Sequence, residues 1–394
     1  MSDKRIQPRP AWVTSTIITI ASLLLAFVVS AVIMVIADAE VSSKWAYFFS
    51  RPGDALAASW DKIARTFHAM WVGSVGSVSA ITNTTREAAP LICAGLAVAV
   101  AFRAGLFNIG AQGQAMMGAL CAAYVGFTVK GLPLFLHLPL VIIVGMLAGA
   151  VWGGIVGILK ARSGAHEVIL TIMMNYVATS LLAYAMLQPA FQASGRNDPI
   201  SPVLEWSATM PRVAGTSLHL GFLISIIAAA VVWWILERTK FGINLQAIGL
   251  NPNAAAVAGA SVPNITVITM AMAGSFAGLG GVMMVTAPDV LTGSPPQMTG
   301  AIIGTLGFDA ITVALLGRSH PVGVILAGLL FGALKASRRT MVTMAETPDK
   351  LTDLIQALVV LFVAAPAFVA SVMPFLKERK VKNQSVPVAK VAEA

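Results

Sequence analysis

Charge is scarce in this sequence: 11% of its 394 residues are Asp, Glu, Lys or Arg, against 57% hydrophobic, and the mean hydropathy is +0.82. That leaves too little polar surface to cover a water-soluble globule and places the chain in a bilayer. Cysteine is nearly absent. Cys93 and Cys121 both fall in apolar stretches, where a thiol behaves as a small hydrophobe, so neither a disulfide framework nor a metal site follows. Gly-Lys never occurs, which removes the G-x-x-x-x-G-K-[ST] phosphate loop and with it that means of hydrolysing ATP. The basic excess, 26 Lys+Arg against 17 Asp+Glu, is scattered through short loops and the two ends, with no nucleic-acid patch.

What the chain has is apolar length. A hydrocarbon core of about 30 Å needs about 20 apolar residues per helix, and roughly ten stretches qualify. The first, residues 13–37, follows Lys4, Arg5 and Arg9. It resembles a signal peptide ending at Ala37-Asp38-Ala39, but its apolar part is longer than the roughly 7–15 residues of a secretory signal, so it reads as an uncleaved span. Later spans are expected near 88–103, 112–130, 138–160, 168–188, 217–236, 264–286, 298–316, 321–337 and 351–373. Residues 68–82 are too polar to span and read as an outer surface helix. Lys377, Arg379, Lys380 and Lys382 follow the last span, and with the basic N-terminus they orient both ends to the cytoplasm. The expected organisation is one all-α membrane domain, residues 13–375, between a cytoplasmic N-terminus (1–12) and a basic cytoplasmic tail (376–394). The longest polar insertions are then 38–87 and 191–216 outside and 237–262 inside.

Four places carry polar chemistry. Residues 102–114 hold Asn108, Gln112 and Gln114 among three glycines, between two spans with almost no loop: a broken helix beside a cavity, or a tight turn with capping amides. Asp309 is the one carboxylate well inside an expected span, where charge is costly in lipid. It would bind substrate hydroxyls, accept a proton, or pair with Arg318 or another helix. Lys160–Glu167 is a basic loop whose His166-Glu167 pair lacks a nucleophile, a second carboxylate or metal-ligand spacing, so it reads as a cap and interface; Asn175, in the helix that follows, is an interhelical or pore-facing hydrogen bonder. Residues 237–262 are too polar to span, and Asn251-Pro252 starts an Ala-rich helical stretch suited to docking or to a surface loop. Gly145, Gly149, Gly153 and Gly157, with Gly274/Gly278 and Gly328/Gly332, form small-residue ladders for close helix approach.

Taken in order, four motifs resemble the permease subunits of bacterial ABC importers for nucleosides and simple sugars, relatives of the ribose and branched-chain amino-acid permeases. They are Pro90 through Gly95-Leu96 to Phe102–Gln114; Gly164–Ile169 with Thr171–Tyr176; Arg238–Gly242 with Ala247-Ile248-Gly249 and Asn251-Pro252; and Gly307–Ile311 with Val313–Arg318. The resemblance covers roughly 85–370. It implies two permease subunits, the same or different, forming the path in the bacterial inner membrane. Two ATP-binding-cassette subunits would lie beneath, holding the ATP and magnesium that this chain does not, and an extracytoplasmic substrate-binding protein above. Region 237–262 becomes the coupling helix, through Arg238, Phe241, Gly242, Ala247, Gly249, Asn251, Pro252, Ala255 and Gly259. Asn108, Gln112, Gln114, Asn175 and Asp309 become the candidates to line or shape the path. The Gly-Phe-Asp form of the last motif leans toward nucleosides. Gln112 stands where relatives often carry an acid, and Asn244 and Gln246 where they are more basic. The rival class is an ion-coupled secondary transporter using Asp309; an enzyme has only His166-Glu167 in its favour.

Overall fold

The computed structural model describes residues 11–288, 295–348, 350–364 and 368–369. They form α1 (Ala11–Ala37), α2 (Ala39–Trp45), α3 (Pro52–Ser74), α4 (Val78–Arg103), α5 (Ala111–Thr128), α6 (Leu134–Ser163), α7 (Glu167–Met186), α8 (Leu220–Arg238), α9 (Lys240–Leu250), α10 (Pro252–Val257), α11 (Val262–Thr286), α12 (Leu306–Leu316), α13 (Pro321–Ala345) and α14 (Leu351–Ala364). Among the described residues there is no strand, only the isolated bridges Ile200–Thr299 and Arg212–His219. The basic tail 376–394 and the first ten residues lie outside the described residues.

Among the described residues seven helices, α1, α4, α6, α7, α8, α11 and α13, are long and apolar enough to cross a membrane. Every expected span overlaps a helix among the described residues, the last, 351–373, lying partly outside them, but α5, α12 and α14 do not meet this measure. In α5 the apolar run is diluted by Gln112, Gly113 and Gln114; α12 is short, with 11 residues, and the span of α14 is described only over 351–364 and 368–369. Among the described residues, seven of the ten expected crossings thus meet this measure of length and composition.

Three boundaries differ from expectation, each for a local reason. The surface helix expected over 68–82 is broken: residues 68–74 finish α3 and 78–82 begin α4. At the break Ser77 caps α4, its hydroxyl accepting from the Ala80 amide at 3.0 Å. The span expected from 298 becomes helical only at Leu306, after Gly304 in the left-handed region at φ 51°. The helix expected near 248–260 is two helices, because Asn251 ends α9 and its side chain caps α10 by accepting from the Asn253 and Ala254 amides.

Burial sorts the helices. The apolar windows of α4 and α11 are 78% and 72% buried, against 28% for α6 and 17% for α7, so α4 and α11 form the centre and the others present broad apolar faces outward. The glycine ladders create the closest packing. A Cβ on Gly149 would stand 2.2 Å from the Gly274 carbonyl oxygen, and one on Gly153 2.2 Å from that of Met270. Helices α6 and α11 thus run antiparallel in backbone contact, with Gly278 against Gly145. Gly328 and Gly332 seat Ile92 and Ala88 of α4 in the same manner.

The polar insertions separate to opposite ends of the bundle. At one end Lys62 of α3 pairs with Asp38 at 2.7 Å and donates to the carbonyls of Ala345 and Glu346 at the close of α13. This lysine holds the Asp38 carboxyl below the usual carboxylate range. There too segment 201–219 lies over the bundle, donating from Ser201 to Met298, Glu205 to Gly126 and Met210 to Thr286. At the other end α9 abuts the turn after α4: a Cβ on Gly249 would meet the Arg103 carbonyl oxygen at 2.3 Å.

Candidate functional site

The stretch between α4 and α5 is a broken helix whose lost backbone bonds are replaced by side-chain amides. Gly105 turns the chain at φ 70°, and residues 106–108 run on without helical bonding. Asn108, fully buried, accepts from the Gly110 amide at 3.0 Å and exchanges two hydrogen bonds with Gln114, at 3.0 and 3.2 Å. Asn175 reaches across from α7, accepting from the Gly113 amide at 2.8 Å and donating to the Ile109 carbonyl at 2.9 Å. Gln112 donates to the Gly304 carbonyl at 2.7 Å and accepts from the Gly307 amide at 2.6 Å. The start of α5 is thereby stapled to the start of α12, and amides that a helix N-terminus leaves without partners receive side-chain oxygens.

Asp309 continues this network. One of its oxygens meets Lys335 of α13 at 2.6 Å and accepts from Thr305 at 2.9 Å; the other accepts from Gln356 of α14 at 2.7 Å. Asp309 and Gln356 are both buried, and the lysine side chain is 28% exposed. The carboxylate therefore ties α12, α13 and α14 together, and its ionic partner comes from another helix, while Arg318 reaches Thr19 of α1. Lys335 was legible as a base inside an expected span; what the sequence could not give is that it faces Asp309. Gln356 carries no signal of its own.

The expected cap-and-interface role of His166-Glu167 is seen. His166 caps α7 by accepting from the Val168 amide, and Glu167 pairs with Lys160 at 2.6 Å and accepts from the Phe107 amide at 3.5 Å. Glu167 thus braces the broken stretch as well.

The residues expected to couple this chain to a partner divide into two faces of the α9–α10 unit. Gly242, Ala255 and, at the turn after α4, Gly249 face inward; Gly242 lies under the carbonyls of Ile235 and Leu236. Phe241 and Ala247 are half-buried. Arg238 is exposed and stands over the Trp233 ring at 5.5 Å. Asn251 and Pro252 form the exposed corner, and Gly259 ends the unit at φ 90° in open space. The outward apolar groups are residues the motif reading passed over: Leu250 is 89% and Val257 91% exposed, with Ile243 beside them at 65%. Arg103 links this unit to the bundle, donating to Ser319 at 3.1 Å and to Gln246 at 3.4 Å.

By sequence the chain is similar to transporter permeases. The family model described as the branched-chain amino acid transport system permease component matches residues 80–364. The guanosine ABC transporter permease protein NupP of Bacillus subtilis is 39% identical over 80% of this chain and 90% of its own length. The glucose ABC transporter permease protein TsgB13 of Haloferax volcanii is 34% identical over 76% and 80%. The nucleoside ABC transporter permease protein NupB of Lactococcus lactis is 32% identical over 79% and 86%. No solved structure matches the chain.

Proposed function

The chain belongs to the branched-chain amino acid transport system permease family as an ABC-transporter permease subunit, not an enzyme, and we propose that it carries nucleosides inward through a path shaped by its broken helices. Simple sugars are the alternative cargo. In this reading the membrane is the bacterial inner membrane and both chain ends are cytoplasmic. A second permease completes the path, two ATP-binding-cassette subunits holding ATP and magnesium dock beneath, and a substrate-binding protein delivers cargo at the Asp38–Lys62 end.

The observation that carries the proposal is the α9–α10 unit. It presents Leu250 and Val257 almost fully to the outside while its inner face is locked, through Gly249, on the Arg103–Gly105 turn. Exposed apolar groups on a rigid two-helix corner suit the groove of a partner protein. A displacement of this corner acts directly on the turn that leads into Asn108, Gln112 and Gln114. Because the amides of these residues and of Asn175 are taken up by bonds within the chain, they shape the path by bracing its wall. Their bonds would be exchanged when the wall moves, and a weakly binding lining is what release of cargo demands.

The test is affinity purification of the tagged chain from its native membrane in mild detergent. A phosphate-loop ATPase is expected with it, lost from L250D and V257D while the chain still elutes as a folded species. Retention of the ATPase by both variants overturns the assignment of this corner. Uptake of labelled guanosine, competed by other nucleosides and not by glucose, is the expected specificity; the reverse pattern makes the cargo a sugar.

A further inference from the structure

Arg103 stands where the α9–α10 corner meets both broken helices. Its backbone carbonyl lies against Gly249 of α9, where a Cβ has no room. Its guanidinium forks. Nε donates to the Ser319 carbonyl at 3.1 Å, while Nη1 donates to Gln246 of α9 at 3.4 Å and faces Glu237, at the end of α8, at 3.8 Å. Gln246 is itself fixed, donating to the Leu236 carbonyl at 2.9 Å. One planar group thus spans two elements, which the rigid fork of a guanidinium allows and the single point of an ammonium does not.

Ser319 belongs to the turn between α12 and α13, and that turn is strained. Arg318 and Ser319 take φ 53° and 52°, the left-handed region that a residue with a Cβ enters at a cost and rarely in succession. Such a backbone persists only where its surroundings over-determine it. Here the Ser319 amide donates to the Ala314 carbonyl at 2.8 Å and the Arg318 amide to that of Leu315 at 3.0 Å. Gly317 and Gly323 lie in backbone contact across the turn, and Arg103 holds the Ser319 carbonyl from outside it.

These contacts close a ring. From Arg103 the chain runs through residues 104–111 to Gln112, which bonds the Gly304 carbonyl and the Gly307 amide at the start of α12; α12 leads to Ser319, and Ser319 returns to Arg103. A short helix tied at both ends follows its ties. We infer that Arg103 is a positioning residue that makes α12 move with the α9–α10 corner, so that both broken helices, and not α5 alone, follow the partner. This rests on the proposed docking of an ATPase at that corner. Without the guanidinium the corner still pushes the backbone through Gly249, but α12 loses its tie at Ser319.

The test is the number of cargo molecules, labelled guanosine or glucose, taken up per ATP hydrolysed by the full transporter in liposomes with loaded substrate-binding protein. R103A is expected to keep the ATPase bound and hydrolysing while this ratio falls about tenfold, within the usual range for coupling between two sites. R103K keeps the charge but reaches Ser319 or Gln246 and not both, so its ratio should fall about threefold. Uptake and hydrolysis that fall together in R103A, at an unchanged ratio, mark a chain that is merely destabilised and overturn the inference. Loss of the ATPase from R103A overturns it too, since Arg103 would then only prop the corner. If R103A does not fold, R103K carries the test, and a wild-type ratio there is the overturning result. An ATPase absent from the wild-type chain overturns the docking reading and this inference with it, whereas an unchanged ratio with the ATPase bound overturns this inference alone.

Discussion

At the scale of the residue, Asp309 shows how a carboxylate is kept inside an apolar bundle. Desolvating it costs several kcal/mol, offset here by an ammonium at 2.6 Å and two further donors. Such a pair is asymmetric: removing one member leaves a stranded charge, whereas removing both leaves nothing to solvate. K335M should therefore destabilise the folded chain by about 3 kcal/mol, the low end of the range for a buried pair because the lysine is partly exposed. D309L/K335M should recover most of that loss. Thermal unfolding in detergent reads both, and a K335M chain as stable as wild type would show that the pair holds nothing. Replacing Asp309 by Ala should lower uptake and leave the ATPase bound, since the Asp309 network and the α9–α10 corner share no residue.

At the scale of the element, the pairing of α6 with α11 rests on absent side chains. Gly149, Gly153 and Gly274 face backbone carbonyls at distances no Cβ occupies, so any side chain there must push two helices apart. G149A should cost about 1–3 kcal/mol, as overpacking does. One turn on, Gly154 has only the Ala271 Cβ, 3.6 Å from where its own would stand. There the helix propensity of Ala prevails, and G154A should be neutral or stabilising by up to about 1 kcal/mol. Melting temperatures of the two variants give opposite signs if the ladder is a backbone contact; the same sign for both would mean it is not. Identical residue types in one helix thus have different worth, decided by what lies opposite.

At the scale of the whole molecule, the broken helices α5 and α12, stapled by Gln112, meet a corner that carries exposed Leu250 and Val257. A bundle built this way has a handle at one end and a bonded break within reach of it. Transport should therefore depend on ATP in the partner subunits. Reconstituted uptake is expected to stop when ATP is withheld and to persist when ion gradients are collapsed. Uptake that follows the gradient without ATP would instead make Asp309 the ion site of a secondary transporter. The bonds already made by that carboxylate to Lys335, Thr305 and Gln356 argue against it.

Much of this was written in the chain. Low charge and long apolar runs dictate a helical membrane protein, because backbone polar groups in hydrocarbon must be satisfied within each segment. The spacing of Gly145, Gly149, Gly153 and Gly157 foretold a close helix contact, and four ordered motifs pointed to a permease. Periodicity within one segment cannot say which helix lies opposite another, so the pairing of Asp309 with Lys335, the reach of Asn175 to Gly113 and the turning of Gly249 and Ala255 inward were left to the tertiary structure. The same holds for the division of 237–262 at Asn251, where one side chain closes one helix and opens the next. Composition determined the solvent, local sequence the helices and their breaks, and packing alone decided the pairs that join one helix to another, since Gln112 and Gly304, Asn175 and Gly113, and Asp309 with Lys335 and Gln356 lie tens to hundreds of residues apart along the chain.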